Sequence, residues 1–194
     1  MQAEIEVKFL DVNFDELREK LTELGGVCEH PMRLMRRAII ETETMKTNDA
    51  YLRVRDEGDK VTMTYKQFRA LSVDGAQEIE MTVEDFDTAI AMLSAIDLPY
   101  RSLQESKRET WKLGDVEVVL DEWPWLKPYI EIEGGSEADL QTAAAELGLD
   151  WKMAVFGDVM VAYRAEYPHL TEKDTVGNIA EVRFDDPLPD LLKA

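Results

Sequence analysis

The sequence has one cysteine, two histidines and no long apolar run, and each shortage removes a class of protein. Cys28 alone cannot form an intrachain disulfide or a CxxC metal site. His30 and His169 are too few for a histidine-based zinc or copper centre. No stretch approaches the ~20 apolar residues of a membrane span. Met1-Gln2-Ala3-Glu4 is acidic where a secretory leader would be basic and then apolar. No repeat, low-complexity tract or Gly/Ser linker divides the chain. Positive charge is also scarce: 22 Lys and Arg stand against 41 Asp and Glu in 194 residues, a net charge of −19. That balance argues against a nucleic-acid coat and, at face value, against a polyanionic substrate. The expectation is a soluble, cytoplasmic protein without membrane association, with one domain over 1–170 and a peripheral extension over 171–194.

What is present is a 45 % hydrophobic, 32 % charged composition, a globular balance that excludes wholesale disorder. Helical spacing of Phe14, Leu17, Leu21 and Leu24 follows Asn13, with Glu16 completing an N-cap signature and Gly25-Gly26 as a stop. A second helix is expected over 84–97, with Phe86, Ile90, Leu93 and Ile96 on its stripe. A third spans 136–148, and a weaker one 158–166. Elsewhere the period falls to two, predicting strands over 4–10, 36–42, 51–56, 60–67, 77–83, 105–113, 116–121 and 129–133. Asp56-Glu57-Gly58-Asp59 and Leu113-Gly114-Asp115 read as hairpin turns. Many short antiparallel strands with few helices imply an α+β fold around a barrel or strongly curved sheet.

Side chains on a strand alternate between faces. Glu4, Glu6 and Lys8 therefore share one face while Ile5, Val7 and Phe9 share the other. The same division recurs with Arg53 and Arg55, with Thr62, Thr64 and Lys66, with Glu78 and Glu80, with Glu117 and Asp121, and with Glu131 and Glu133. Either the charges meet solvent, or the sheet closes with charges inward and apolar faces outward. Three amphipathic helices each need an apolar sheet face to cover, which favours helices outside and charges inside. A dry interior could not hold so many ions, so the inside must take water, metal or ligand. Carboxylates spaced i, i+2 on neighbouring strands are hard-oxygen donors suited to Mg²⁺ or Mn²⁺. Lys8, Arg53, Arg55, Lys66 and Arg108 suit an extended polyphosphate. Acids for metal beside bases for phosphate are the logic of phosphoryl transfer.

Glu4-x-Glu6-x-Lys8 resembles the ExExK signature of the CYTH superfamily, the triphosphate tunnel metalloenzymes, which include class IV adenylyl cyclases and thiamine triphosphatases. In the family's order follow Leu52-Arg53-Val54-Arg55, Thr64-Tyr65-Lys66, Glu78-Ile79-Glu80, Lys107-Arg108-Glu109-Thr110-Trp111, Leu120-Asp121 and Ile130-Glu131-Ile132-Glu133, covering about residues 1–165. The resemblance implies a closed, eight-stranded antiparallel β-barrel whose charged tunnel binds a triphosphate-bearing small molecule with Mg²⁺ or Mn²⁺. It makes Glu4, Glu6, Glu131 and Glu133 metal ligands, with Asp121, Glu78 and Glu80 as further tunnel acids. It makes Lys8, Arg53, Arg55, Lys66 and Arg108 phosphate ligands, with Arg37 added as an inward base, and it assigns catalysis to Lys8, Glu4 and Glu6. Family precedent also points to a homodimer. One departure stands out: Arg36-Arg37-Ala38-Ile39-Ile40-Glu41 lacks the tyrosine that many members carry there, which weakens a Lys–Tyr general-base pair. Trp123 and Trp125 are read as packing against a helix or covering a barrel end rather than as a base-stacking pair. The leading expectation is metal-dependent triphosphate hydrolysis. A class IV adenylyl cyclase making cyclic AMP and pyrophosphate, and a non-catalytic polyphosphate-binding module, remain as alternatives.

Overall fold

The computed structural model describes residues 2–70 and 72–193, with backbone alone for residues 2–4. Strands β1 (Gln2–Glu4) and β2 (Glu6–Leu10) open the chain, followed by helix α1 (Phe14–Glu23) and the long strand β3 (Val27–Ile40). Helix α2 (Glu43–Thr47), strands β4 (Ala50–Asp56), β5 (Val61–Phe68) and β6 (Ala76–Val83), and helix α3 (Phe86–Ala95) come next. Then follow β7 (Ser102–Leu113), β8 (Val116–Glu122), β9 (Tyr129–Glu133), α4 (Glu137–Glu146), α5 (Met160–Glu166) and β10 (Glu181–Val182). Among the described residues no helix is long and apolar enough to cross a membrane.

Antiparallel ladders join β6, β5, β4, β3, β7, β8 and β9 in that order. The N-terminal segment supplies both ends of the path: β1 pairs with β6, and β2 pairs with β9. The fold is α+β with a curled antiparallel sheet of eight chain segments, but the closed barrel expected from sequence is not formed. The β1–β6 ladder covers only Gln2–Glu4. Beyond it the Glu6 amide turns to the Val73 carbonyl at 3.0 Å, and the Ile5 carbonyl accepts from the Gly134 amide at 3.1 Å. Around Ile5 and Glu6 the N-terminal segment thus passes from the β6 edge to the β9 edge.

Helices cover the convex face because the apolar halves of the strands point there. Asn13 accepts from the Asp15 and Glu16 amides and donates to the Glu16 carboxylate, fixing the start of α1. Gly25, at φ +80°, lets the chain turn away after it. Phe14, Leu17 and Leu21 of α1 and Leu140, Ala143 and Ala144 of α4 then pack on Val7, Phe9, Val118, Leu120, Ile130 and Ile132. Asp85 caps α3, whose Phe86, Ala89 and Leu93 cover Ala38, Ile40 and Val54. Ile96, expected on that stripe, lies one residue past the helix and is exposed.

One expected strand begins elsewhere. β3 begins nine residues earlier than the expected strand over 36–42, with register shifts between Cys28 and His30 and between His30 and Arg33. Pro31 lies in that irregular stretch and offers no amide to a ladder, so the period-two signal is broken there. The C-terminal segment sets β10 parallel to β7, with the Leu103 amide donating to the Ala180 carbonyl at 2.9 Å. Val176, Val182 and Leu192 of this segment are buried.

Candidate active site

The concave face bounds a cavity of about 1040 Å³. Its bases include Lys8, Arg37, Arg53, Arg55, Lys66 and Arg108, and its acids include Glu6, Glu78, Glu80, Glu131 and Glu133. Strand alternation accounts for this gathering: Val7 and Ile132 face the helices, so Glu6, Lys8, Glu131 and Glu133 face inward. The register brings Lys8 opposite Glu131, Lys66 opposite Glu78, and Glu6 opposite Glu133.

Around β2, β5, β7, β8 and β9, acids and bases interleave. Lys8 Nζ lies 3.2 Å from Glu6 Oε1 and 3.3 Å from Glu131 Oε1. Lys66 Nζ lies 3.0 Å from Glu78 and 3.8 Å from Glu6. Arg108 donates through Nε to Asp121 at 2.8 Å, and its Nη2 donates to Asp121 and to Glu131. Burial alone would lower the Lys8 ammonium, but Glu131 and Glu6 outweigh it and raise its pKa. Burial would raise Glu131, yet Lys8, Arg108 and Lys66 hold it far below the usual carboxylate range. Asp121 is completely buried and is not part of the cavity lining; it stands behind Arg108 and orients it.

The side built by β3 and β4 is different. Arg37 and Arg55 are direct cross-strand neighbours. The Arg37 guanidinium lies 4.3 Å from the centre of the Trp123 ring and donates to the Ser106 hydroxyl, while its buried Nε has no hydrogen-bond partner among the described residues. Burial, then repulsion from Arg55, Arg53 and Arg108, pushes Arg37 down to about 9. Burial, then Arg53 and Arg108, pushes Arg55 down to about 10. A guanidinium keeps its proton at neutral pH even so. Glu57 already bonds Arg55, whereas among the described residues Arg37 hydrogen-bonds only the Ser106 hydroxyl, so the repulsion on Arg37 stands until an anion relieves it.

Glu4 of the ExExK segment lies in β1, and its side chain is outside the described residues. Among the described residues no three Asp, Glu, His or Cys side chains converge on one point; Lys8 bonds both Glu6 and Glu131. Glu6 on β2 and Glu131 and Glu133 on β9 lie on adjacent strands and offer carboxylate oxygens, the donor type a hard divalent cation takes. Trp123 and Trp125 are both engaged. Trp123 packs with Met160 and Tyr163 of α5, and Trp125 Nε1 donates to the Asp186 carbonyl at 3.0 Å.

Sequence reading missed several lining residues. Glu57 and Arg33 come from a turn and an irregular strand, Asp158 and Arg164 from the α5 region. Burial raises the Asp158 carboxyl above its ordinary value, more than Lys8 and Lys66 lower it. Only the turn motif around Gly58 offered a sequence signal, and it pointed to solvent.

A model of the CYTH domain matches residues 2–154. A search of curated protein sequences finds no match. Among solved structures, the chain is similar to PH1012 from Pyrococcus horikoshii, at 23 % identity and a TM-score of 0.69, over 82 % of this chain and 98 % of that one. A candidate adenylate cyclase from Vibrio parahaemolyticus gives 14 % identity and 0.69 over 83 % and 97 %. HpAC1 from Hippeastrum, a candidate adenylyl cyclase described as having a dominant triphosphatase activity, gives 14 % and 0.57 over 85 % and 96 %. At these identities the structures speak for the fold, and the domain match over most of the chain places this protein in the CYTH family.

Proposed function

We propose that the protein hydrolyses a triphosphate, inorganic tripolyphosphate or an organic one, with Mg²⁺ or Mn²⁺. The observation that carries this reading is one cavity lined by Lys8, Arg37, Arg53, Arg55, Lys66 and Arg108 together with Glu6, Glu78, Glu80, Glu131 and Glu133. Arg37, Arg53, Arg55 and Arg108 can grip phosphate oxygens along a chain, and Lys8 and Lys66 add point charges. Lys8 sits between two carboxylates and keeps its proton, so it orients a phosphoryl oxygen rather than accepting a proton from water. Glu6, Glu131 and Glu133, together with Glu4, would hold the metal. When bound, the metal neutralises phosphoryl charge and acidifies water. Hydrolysis then adds water across a terminal P–O–P bond and releases orthophosphate. Trp123 is occupied by Arg37 and Trp125 by the Asp186 carbonyl, which supports recognition through phosphates rather than through a ring stacked on these tryptophans.

The test is to incubate purified protein with Mg²⁺ or Mn²⁺ and tripolyphosphate, thiamine triphosphate or ATP, following products by phosphorus NMR. Metal-dependent orthophosphate without cyclic AMP is expected. Cyclic AMP with pyrophosphate would replace the hydrolase by a cyclase, and binding without turnover would leave a polyphosphate-binding module.

A further inference from the structure

We infer that Glu57, in the β4–β5 turn, is a positioning residue that holds Arg55 in the phosphate-binding wall; the inference rests on the triphosphate reading above. A glutamate in an Asp-Glu-Gly-Asp turn belongs in water by its type, yet Glu57 is only 5 % exposed and lines the cavity. The turn geometry explains how it gets there. Gly58 adopts φ +91°, a conformation that suits glycine, and its amide donates to Asp56 Oδ1 at 2.9 Å. The Glu57 amide donates to the Lys60 carbonyl at 2.9 Å, tightening the turn so that the carboxylate folds back over the strands.

A buried carboxylate needs partners, and those of Glu57 are the cavity's own bases. Glu57 Oε1 accepts from Arg55 Nε at 2.9 Å and lies 2.7 Å from Arg55 Nη2. The Thr62 hydroxyl donates to the same oxygen at 3.3 Å. Oε2 lies 3.8 Å from Arg33 Nη2 and 3.7 Å from Lys60 Nζ. Asp59 completes the arrangement, 2.6 Å from Arg33 Nη1. Glu57 therefore takes the Nε–Nη2 edge of Arg55 and leaves the Nη1 side to an anion, as a guanidinium held on one edge presents the other. Arg37 stands directly across the ladder from Arg55, and Arg53 lies two residues before it. Without a carboxylate at 57, repulsion from both would swing Arg55 out of line. Glu57 touches no reacting atom in this scheme; it acts through Arg55.

The experiment compares wild type, Glu57→Gln, Arg55→Gln and the double variant in metal-saturated tripolyphosphate hydrolysis, with calorimetric binding and a thermal melt for each. Glu57→Gln is expected to raise KM roughly tenfold with kcat within about twofold. In the Arg55→Gln background the same change should add nothing, and Glu57→Asp should recover part of the wild-type KM. A merely structural clip would instead lower the melting temperature and add its effect in either background. An unchanged KM in Glu57→Gln, or additive effects, overturns the inference while leaving the hydrolase reading intact. Should Glu57→Gln fail to fold, the folded Glu57→Asp protein decides the matter by the same KM shift, about threefold, and an unchanged KM overturns the inference. A wild type that neither binds nor cleaves tripolyphosphate overturns both.

Discussion

Around β2, β7 and β9 the bases meet acids: Lys8 lies between Glu6 and Glu131, and Arg108 between Asp121 and Glu131. On the β3–β4 side the close partners of Arg37 among the described residues are a hydroxyl and an aromatic ring, with Arg55 directly opposite. The surroundings of Lys8 and Arg108 raise their pKa values, and those of Arg37 and Arg55 lower theirs. Removing one partner of a buried ion pair is costly, whereas crowded like charges in a wet cavity carry repulsion that a bound polyanion relieves. Under the proposed triphosphate reading the two walls would take different tasks, carboxylates of the first meeting a cation and Arg37 of the second meeting phosphate. The net charge of −19 does not reveal this division, because it averages a cavity with a solvated surface.

The largest expected effect comes from breaking the balanced wall. Glu131→Leu would leave Lys8 and Arg108 without their shared carboxylate, and urea unfolding should show a loss of about 3 kcal/mol. A loss under about 1 kcal/mol would mean that water already neutralises this wall.

How much of the fold and site is legible in the sequence depends on periodicity. Glu6, Lys8, Arg53, Arg55, Lys66, Glu131 and Glu133 alternate with apolar residues, so strand geometry alone assigns them to a common face. Arg33 escapes that logic, because Pro31 and two register shifts interrupt the alternation. Glu57 is hidden by its turn, whose composition speaks for solvent and says nothing about a side chain folded back under Gly58. The open seam is equally illegible: Glu4–Leu10 alternates without a break, and the change of partner at Ile5 is a tertiary event.

A smaller effect should appear with pH. Burial would raise Glu57, but Arg55 and Lys60 outweigh it and hold its folded pKa below the ordinary value. A depressed carboxylate contributes stability that is fully present above its unfolded pKa of about 4.3 and is lost as pH falls through the folded value. Glu57→Gln should therefore flatten the acid limb of the stability–pH curve by a fraction of the ~1.4 kcal/mol per pH unit carried by one proton. An unchanged slope below about pH 4 would place Glu57 in a neutral setting.

The contrast between the walls is tested most directly by Arg37→Met, measured for stability and for tripolyphosphate binding in the same Mg²⁺ buffer. Removing one crowded cation should raise unfolding stability by about 1 kcal/mol and weaken tripolyphosphate binding by roughly tenfold or more. A variant that binds as tightly as wild type, or that loses stability as well as affinity, would contradict an arginine wall whose repulsion is relieved by phosphate.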